Sequence, residues 1–353
     1  MRRVLFNLHL YLALTAGVFI VILGGTGAIM AFEPELDHVL HWKYAYVEPG
    51  VSKLPLGEIG AAVAKSYPGE RIGGYTFEPA PNLAFLVALP GRQVYVNPYT
   101  GEVLGVRPGG MDFLTRVHQL HLRLLIRTQA DPGKKIMSWA GAVILFLSIS
   151  GVYLWWPYMQ VKVRRPWWSR RFWLDAHNAV GICSFAFLLV LAATGVMIGF
   201  EETTVPAVYR MTGSQPMQLP RTFPAPPAAA RPIGVDRAVE AARAAIPGAA
   251  PFQISVPGPK GAYMVRARFP EDLTPGGRSL LLVDQYTGKV LFAQGSRTAP
   301  AGTRLVNLNR AIHTGDVFGV PSKVMMSLAS LALVMQAVSG VAMWWKKLRS
   351  KRG

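Results

Sequence analysis

The stretch HLYLALTAGVFIVILGGTGAIMAFE, from His9 to Glu33, returns in near copy as HNAVGICSFAFLLVLAATGVMIGFE, from His177 to Glu201. Each copy opens on a histidine, reaches Thr-Gly seventeen residues later and closes on Phe-Glu. The residues between these marks are apolar on all sides. Seventeen residues of helix cover about 25 Å at 1.5 Å per residue, most of the way across a hydrocarbon core of roughly 30 Å. Both copies therefore read as membrane spans with the histidine at one end.

Working outward, four runs are long and apolar enough to span: about Leu8 to Phe32, Ile136 to Trp156, Trp173 to Phe200 and Val324 to Trp345. With 51% hydrophobic and 16% charged residues among 353, a single soluble domain is excluded and the lipid bilayer is the expected medium. The apolar run after Met1-Arg2-Arg3 is too long for a signal peptide's core and lacks a small-residue cleavage site, so an uncleaved anchor is expected. The net charge of +18 is concentrated beside the spans, in Arg2 and Arg3, KVRRPWWSRR and KKLRSKRG. That distribution is the positive-inside pattern. It predicts a multi-pass protein of a bacterial inner membrane with both termini and the middle loop in the cytoplasm, and no nucleic-acid partner. Trp155, Trp156, Trp167, Trp168, Trp173, Trp344 and Trp345 fall at the predicted cytoplasmic interface, and Trp42 and Trp139 at the other. The single cysteine, Cys183, reads as a packing residue of the third span.

Repetition continues beyond the spans. SGVYLWW (Ser150 to Trp156) is matched by SGVAMWW (Ser339 to Trp345), and the hairpin QVYVNPYTGEVLGV by LLLVDQYTGKVLFA. The expected architecture is an α-helical membrane protein whose four-helix bundle is two parallel repeats about a pseudo-twofold axis along the membrane normal. Each repeat adds a small extracytoplasmic α+β domain, in which a helix ending at Pro-Gly precedes alternating strands. The boundaries are span 1 at 1–33, domain 1 at 34–111, an interfacial histidine segment at 112–133 and span 2 at 134–157. A basic loop at 158–171, span 3 at 172–200 and a Pro-rich linker at 201–232 follow. Domain 2 at 233–295, a second histidine segment at 296–321, span 4 at 322–346 and a tail at 347–353 complete the chain.

Of seven histidines, His9 and His177 share one repeat position at the cytoplasmic ends of spans 1 and 3. An imidazole inside a bilayer must pair or ligate, and two in symmetric positions point to a shared ligand. A second pair lies on the outer side, where FLTRVHQLHLRLL and LVNLNRAIHTGDVFG align through His121 and His313. His118, one turn before His121, is the alternative for that role. His38 and His41, with Asp37, offer a third cluster, which reads more readily as a solvated helix face. Zinc wants three or four tetrahedral ligands, and neither pair supplies them. Haem iron needs only two axial imidazoles from facing helices, and its macrocycle suits an apolar bundle, so two haems are the expected cofactors. Arg116, Arg123 and Arg310 outside, and Arg170 and Arg171 inside, stand where they can neutralise propionates. The absence of Cys-x-x-Cys-His predicts noncovalent, b-type binding.

The motifs LHLRLL, LSISGVYLWWP and IHTGDVFGVPSKV, the His177-x-x-x-Gly181 opening and the paired YTGEV and YTGKV hairpins resemble the PepSY-associated transmembrane proteins, often described as iron-regulated membrane proteins. The resemblance covers essentially the whole chain. It implies four transmembrane helices with two extracytoplasmic PepSY domains, and similarity to dihaem inner-membrane reductases of ferric siderophores, with His9, His177, His121 and His313 as axial ligands. The implied activity is electron transfer from a quinol or a cytoplasmic reductase to a periplasmic ferric siderophore or other ferric chelate, for iron release and uptake. No catalytic side chain is assigned beyond the ligands. Two rival readings remain: a PepSY sensor or protease-regulating binding protein without redox activity, and an iron or siderophore transporter. Ala13 stands where the sister helix has Gly181, and the segment after His121 is longer than that after His313, which predicts a looser outer site on the His121 side.

Overall fold

Long apolar runs without interior proline form helices because every backbone polar group is then bonded within its own segment. In the computed structural model, which describes residues 1–350 except 78–79, 111, 158, 160–165, 167, 221 and 225–229, the chain starts with α1 (Arg2–Met30), α2 (Glu33–Leu40), α3 (Trp42–Ala45) and α4 (Leu56–Ser66). Strands β1 (Gly74–Thr76), β2 (Phe85–Leu89), β3 (Arg92–Val96) and β4 (Val103–Pro108) follow. Next come α5 (Phe113–Arg123), α6 (Pro132–Trp155), α7 (Arg170–Gly199), α8 (Glu201–Met211) and α9 (Val235–Ala245). Strands β5 (Ala250–Ser255), β6 (Ala262–Arg268), β7 (Ser279–Asp284) and β8 (Val290–Gln294) precede α10 (Ala301–Thr314) and α11 (Val320–Arg349). The basic loop expected at 158–171, with Trp167, lies largely outside the described residues, as do parts of the Pro-rich linker and of the tail.

Two compact units result, one helical (1–33, 114–210 and 308–353) and one built on the sheet (34–113 and 211–307). Four helices of the first, α1, α6, α7 and α11, are long and apolar enough to cross a membrane. They form a ring in which α1 and α7 each pack against α6 and α11. Small residues line the seams, among them Ala16, Ala28, Ala140, Ala192, Ala329 and Ser330, because in lipid the helices are held by close packing rather than by burial of apolar area. At Gly24 a Cβ would come within 2.6 Å of the Ser330 carbonyl oxygen, so the α1–α11 crossing depends on its absence. Helix α6 starts at a proline behind Asp131, whose carboxylate accepts from the Lys134 amide (3.3 Å), and α7 starts at Ser169, whose hydroxyl accepts from the Phe172 amide (3.1 Å).

In the second unit the sequence anticipates two separate small sheets, and the structure joins them. All eight strands form one antiparallel sheet ordered β4-β3-β2-β1-β5-β6-β7-β8, closed at its centre by Tyr75 opposite Ile254. Edge strands with unpaired amides are unstable alone, and pairing β1 with β5 removes two of them. Helices α4 and α9 cover one face over a single core that includes Ile59, Val63, Val87, Val94, Ile254, Val265 and Leu281. The two hairpin turns are built alike. Asn97 and Asp284 each accept from the amide two residues on (2.9 Å in both), and the Tyr99 and Tyr286 hydroxyls donate to the carbonyls of Pro81 (2.7 Å) and Pro259 (2.8 Å). The tyrosines thereby tie each turn to a neighbouring loop.

Further differences from the sequence reading concern single elements. The stretch assigned to a linker from 201 begins with α8, which carries Pro206 inside it. Cys183 is exposed on the outside of α7 rather than packed, because the seam of that helix runs through Ser184 and Leu188.

Candidate functional site

Each of the two histidine pairs lies at its own level of the helical unit. His9 on α1 and His177 on α7 stand at opposite corners of the ring and line one cleft, with about 770 Å³ of empty space including its mouth. Its walls are otherwise mostly apolar, including Ile20, Leu147, Trp155, Phe185 and Leu333, with Asn178 and Gln336 as polar exceptions.

The ring nitrogens are placed by hydroxyls. His9 Nδ1 lies 2.8 Å from Ser150 Oγ, and His177 Nδ1 lies 2.8 Å from Ser339 Oγ. At the other end of the bundle His121 Nδ1 lies 2.8 Å from Thr26 Oγ1, and His313 Nδ1 lies 2.9 Å from Thr194 Oγ1. Each hydroxyl also donates into its own helix: Ser339 to the Met335 carbonyl (2.7 Å), Thr26 to Ile22 (2.5 Å), Thr194 to Val190 (2.7 Å) and Ser150 to Leu147 (3.3 Å). A hydroxyl whose proton is engaged there can meet the ring only with a lone pair, an arrangement that suits an Nδ1–H donor and leaves Nε2 for a ligand.

A glycine follows every one of these hydroxyl residues and lies beside the ring. Measured from where a Cβ would stand, the imidazole Cε1 is 3.6 Å away at Gly151 (His9), 4.0 Å at Gly340 (His177), 3.5 Å at Gly27 (His121) and 3.1 Å at Gly195 (His313). The Thr-Gly and Ser-Gly phrases of the repeated sequence are therefore where the histidines rest. Their recurrence at fixed repeat positions was the signal for this, although the sequence alone did not say which histidine meets which dipeptide.

His121 and His313 lie on α5 and α10, outside the spanning helices. Burial, with the neighbouring His313 and His118 rings adding to it, pushes the His121 pKa down to about 3. Burial and the Arg310 charge one turn away push His313 down to about 4, against a hydrogen bond that the ring donates to the Leu191 backbone carbonyl. Both rings are thus neutral near pH 7, the form that ligates metals. His118 is placed differently: its Nδ1 faces the Glu33 carboxylate at 3.0 Å. The longer segment after His121 does not lengthen that ring's bond to its hydroxyl, 2.8 Å against 2.9 Å for His313. It is absorbed by Leu124, Leu125 and Asp131 at positive φ and by the Arg123–Asp131 ion pair (3.2 Å).

The remaining candidates separate from these pairs. Asp37 is engaged by Arg107 (2.5 Å) and His41 (3.2 Å), and His38 stacks edge-on against Tyr46, so that cluster is a structural network of the sheet unit. Glu201 pairs with Lys134 at 2.6 Å. Among the described residues no group of three or more His, Cys, Asp or Glu side chains is placed to hold a metal ion. Gln336 was not foreseen; its side-chain amide donates to the His177 carbonyl (2.9 Å) at the cleft wall.

No curated protein matches the chain. A family model does, over residues 6–347, nearly its full length. The chain is a multi-pass membrane protein and belongs to the PepSY_TM family, the PepSY-associated TM region.

Proposed function

We propose that this protein holds two b-type haems, one between His9 and His177 and one between His121 and His313, and reduces a ferric chelate such as a ferric siderophore. On this reading the two sequence halves are parallel repeats about a pseudo-twofold axis. The sheet unit is two PepSY-like domains fused edge to edge on the periplasmic side of a bacterial inner membrane, and both termini are cytoplasmic. Electrons come from a quinol or a cytoplasmic reductase.

The observation that carries the reading is the state of the four imidazoles. All four have Nδ1 beside a hydroxyl, and among the described residues they come in two pairs rather than in the larger sets that a zinc site requires. The cleft lined by His9 and His177 is walled mostly by apolar side chains, which suits the faces of a planar macrocycle. When bound, haem supplies one-electron exchange at neutral pH. The chain's own residues hold and orient it: imidazoles ligate, hydroxyls fix the rings, and the packed cluster of Ala16, Ile20, Ile144 and Ala192 excludes water within the bundle. Arg310, one turn from His313, and Arg170 and Arg171, in the first turn of α7, are available to a carboxylate-bearing ligand. Reduction weakens the hold of hard oxygen donors on the substrate iron and so favours its release.

A redox-titrated absorption spectrum of the purified protein, with haem counted per polypeptide, tests the proposal. Two haems per chain, with paired Soret and alpha bands that the donor fills and a ferric chelate empties, are expected. A featureless spectrum after expression with adequate haem supply ends the reading and leaves a PepSY binding module.

A further inference from the structure

We infer that the four hydroxyl-glycine dipeptides, Thr26-Gly27, Thr194-Gly195, Ser150-Gly151 and Ser339-Gly340, are seats that fix each histidine as its Nδ1–H tautomer and set the basicity of the opposite nitrogen. The inference rests on the haem reading above and extends it from the ligands to the residues that position them. It comes from three independent features. The hydroxyl proton is committed to a carbonyl of its own helix, so the ring nitrogen facing it has to be the donor. Each ring's Cε1 rests against the adjoining glycine, most closely at Gly195, where a Cβ would stand 3.1 Å from His313, and at ordinary contact distance at the other three. Three of the four hydroxyl residues are also withdrawn from the surface: Ser339 is fully buried, and Ser150 and Thr26 are 3% and 7% exposed, while Thr194 is half-buried.

A bland role is available to the same atoms, because hydroxyls also hold helices together in membranes. The two roles differ in what they move. A hydroxyl that only holds helices changes stability when it is removed. A seat changes the electron density on the ligating nitrogen, because a hydrogen bond from Nδ1–H makes the imidazole a stronger donor to iron and favours Fe(III). Thr26, Thr194, Ser150 and Ser339 are accordingly positioning residues, one for each axial ligand.

Thr26→Val keeps the side-chain shape and removes the acceptor; Thr26→Ser restores it. In the haem-loaded full-length protein, Thr26→Val is expected to raise the midpoint potential of one haem, leave the other unchanged and alter one set of low-spin ferric EPR g values. Thr26→Ser is expected to return the raised potential and the altered g values to wild type. Unchanged potentials and g values in a doubly loaded Thr26→Val protein would overturn the inference.

Should Thr26→Val fail to load, His121→Gly supplied with exogenous imidazole or 1-methylimidazole replaces it, since only the former has an N–H to offer the threonine. A preference for imidazole of about ten- to a hundred-fold, the usual loss on removing such a partner, is expected. Equal affinities would overturn the inference. The ¹⁵N shifts of labelled histidine in the haem-free chain test the seats without the cofactor. The Nδ1–H tautomer at His9, His121, His177 and His313 is expected, and the Nε2–H tautomer would sink the seats even if haem binds. A wild-type protein that never shows haem bands removes the function proposed above while this tautomer measurement still stands or falls alone.

Discussion

At the scale of single residues, the structure separates side chains that the sequence had left as equals. His118 and His121 share a helix face, yet His121 meets Thr26 while His118 meets Glu33. On the proposed dihaem function, His121→Ala is therefore expected to remove one of two haem signals, whereas His118→Ala retains both; haem per chain measured by pyridine haemochrome distinguishes them. The glycines give a graded expectation. In Gly195→Ala the new methyl would lie 3.1 Å from His313 Cε1, so the ring has to give by a few tenths of an ångström against Thr194, and on the proposed function the haem it ligates is expected to be weakened. In Gly340→Ala the corresponding distance to His177 is 4.0 Å, an ordinary contact, and the absorption spectrum is expected to stay wild type. Equal behaviour of the two variants would count against the packing account.

At the scale of elements, the informative contacts tie one half of the sheet unit to the other. Asp236, in the first turn of α9, accepts from the amides of Leu56 (2.7 Å) and Gly57 (2.9 Å), so a carboxylate from one half caps α4 of the other. Asp236→Ala is expected to destabilise the sheet unit by about 1 kcal/mol, within the range of roughly 0.5–2 for lost caps, read as a lower midpoint in thermal or denaturant unfolding of the full chain. The twin turns offer a pH test. Burial pushes the Asp284 pKa up, but the amides of Thr287 and Tyr286 and the Thr287 hydroxyl outweigh it, and the net shift is downward. A carboxylate held below its ordinary value of 3.8 contributes stability above that value, which is lost as pH falls through the folded pKa. Asn97 makes the same turn without a charge. Asp284→Asn is thus expected to preserve the hairpin and to remove part of the acid-side loss of stability, measured as unfolding midpoint against pH between about 5 and 2.5.

At the scale of the whole molecule, the joining of two sequence halves into one sheet is a property that neither half has alone. The junction is short: β1 has three residues, and at Gly74 a Cβ would stand 2.6 Å from the Ile254 carbonyl oxygen. Gly74→Val is expected to part β1 from β5, seen as lost hydrogen-exchange protection of Tyr75 and Ile254 while the β2–β3 and β6–β7 amides stay protected. Unaltered exchange at the junction would contradict the close approach. Spans, hairpins and the pairing of histidines by repeat position were legible in the linear chain, because hydropathy, turn chemistry and repetition are local or periodic properties. The order of the helix ring, the sheet junction, the exposure of Cys183 and the choice of Thr26 for His121 were not, since each depends on residues far apart in sequence whose approach is set by packing. Ser150 and His9 are separated by 141 positions, and nothing in either segment names the other. Composition and periodicity decided that this protein is a helical bundle in a membrane with paired imidazoles. Only the packed bundle decided which hydroxyl each imidazole meets, because a 2.8 Å hydrogen bond requires two helix faces to be turned toward each other and no single segment specifies both.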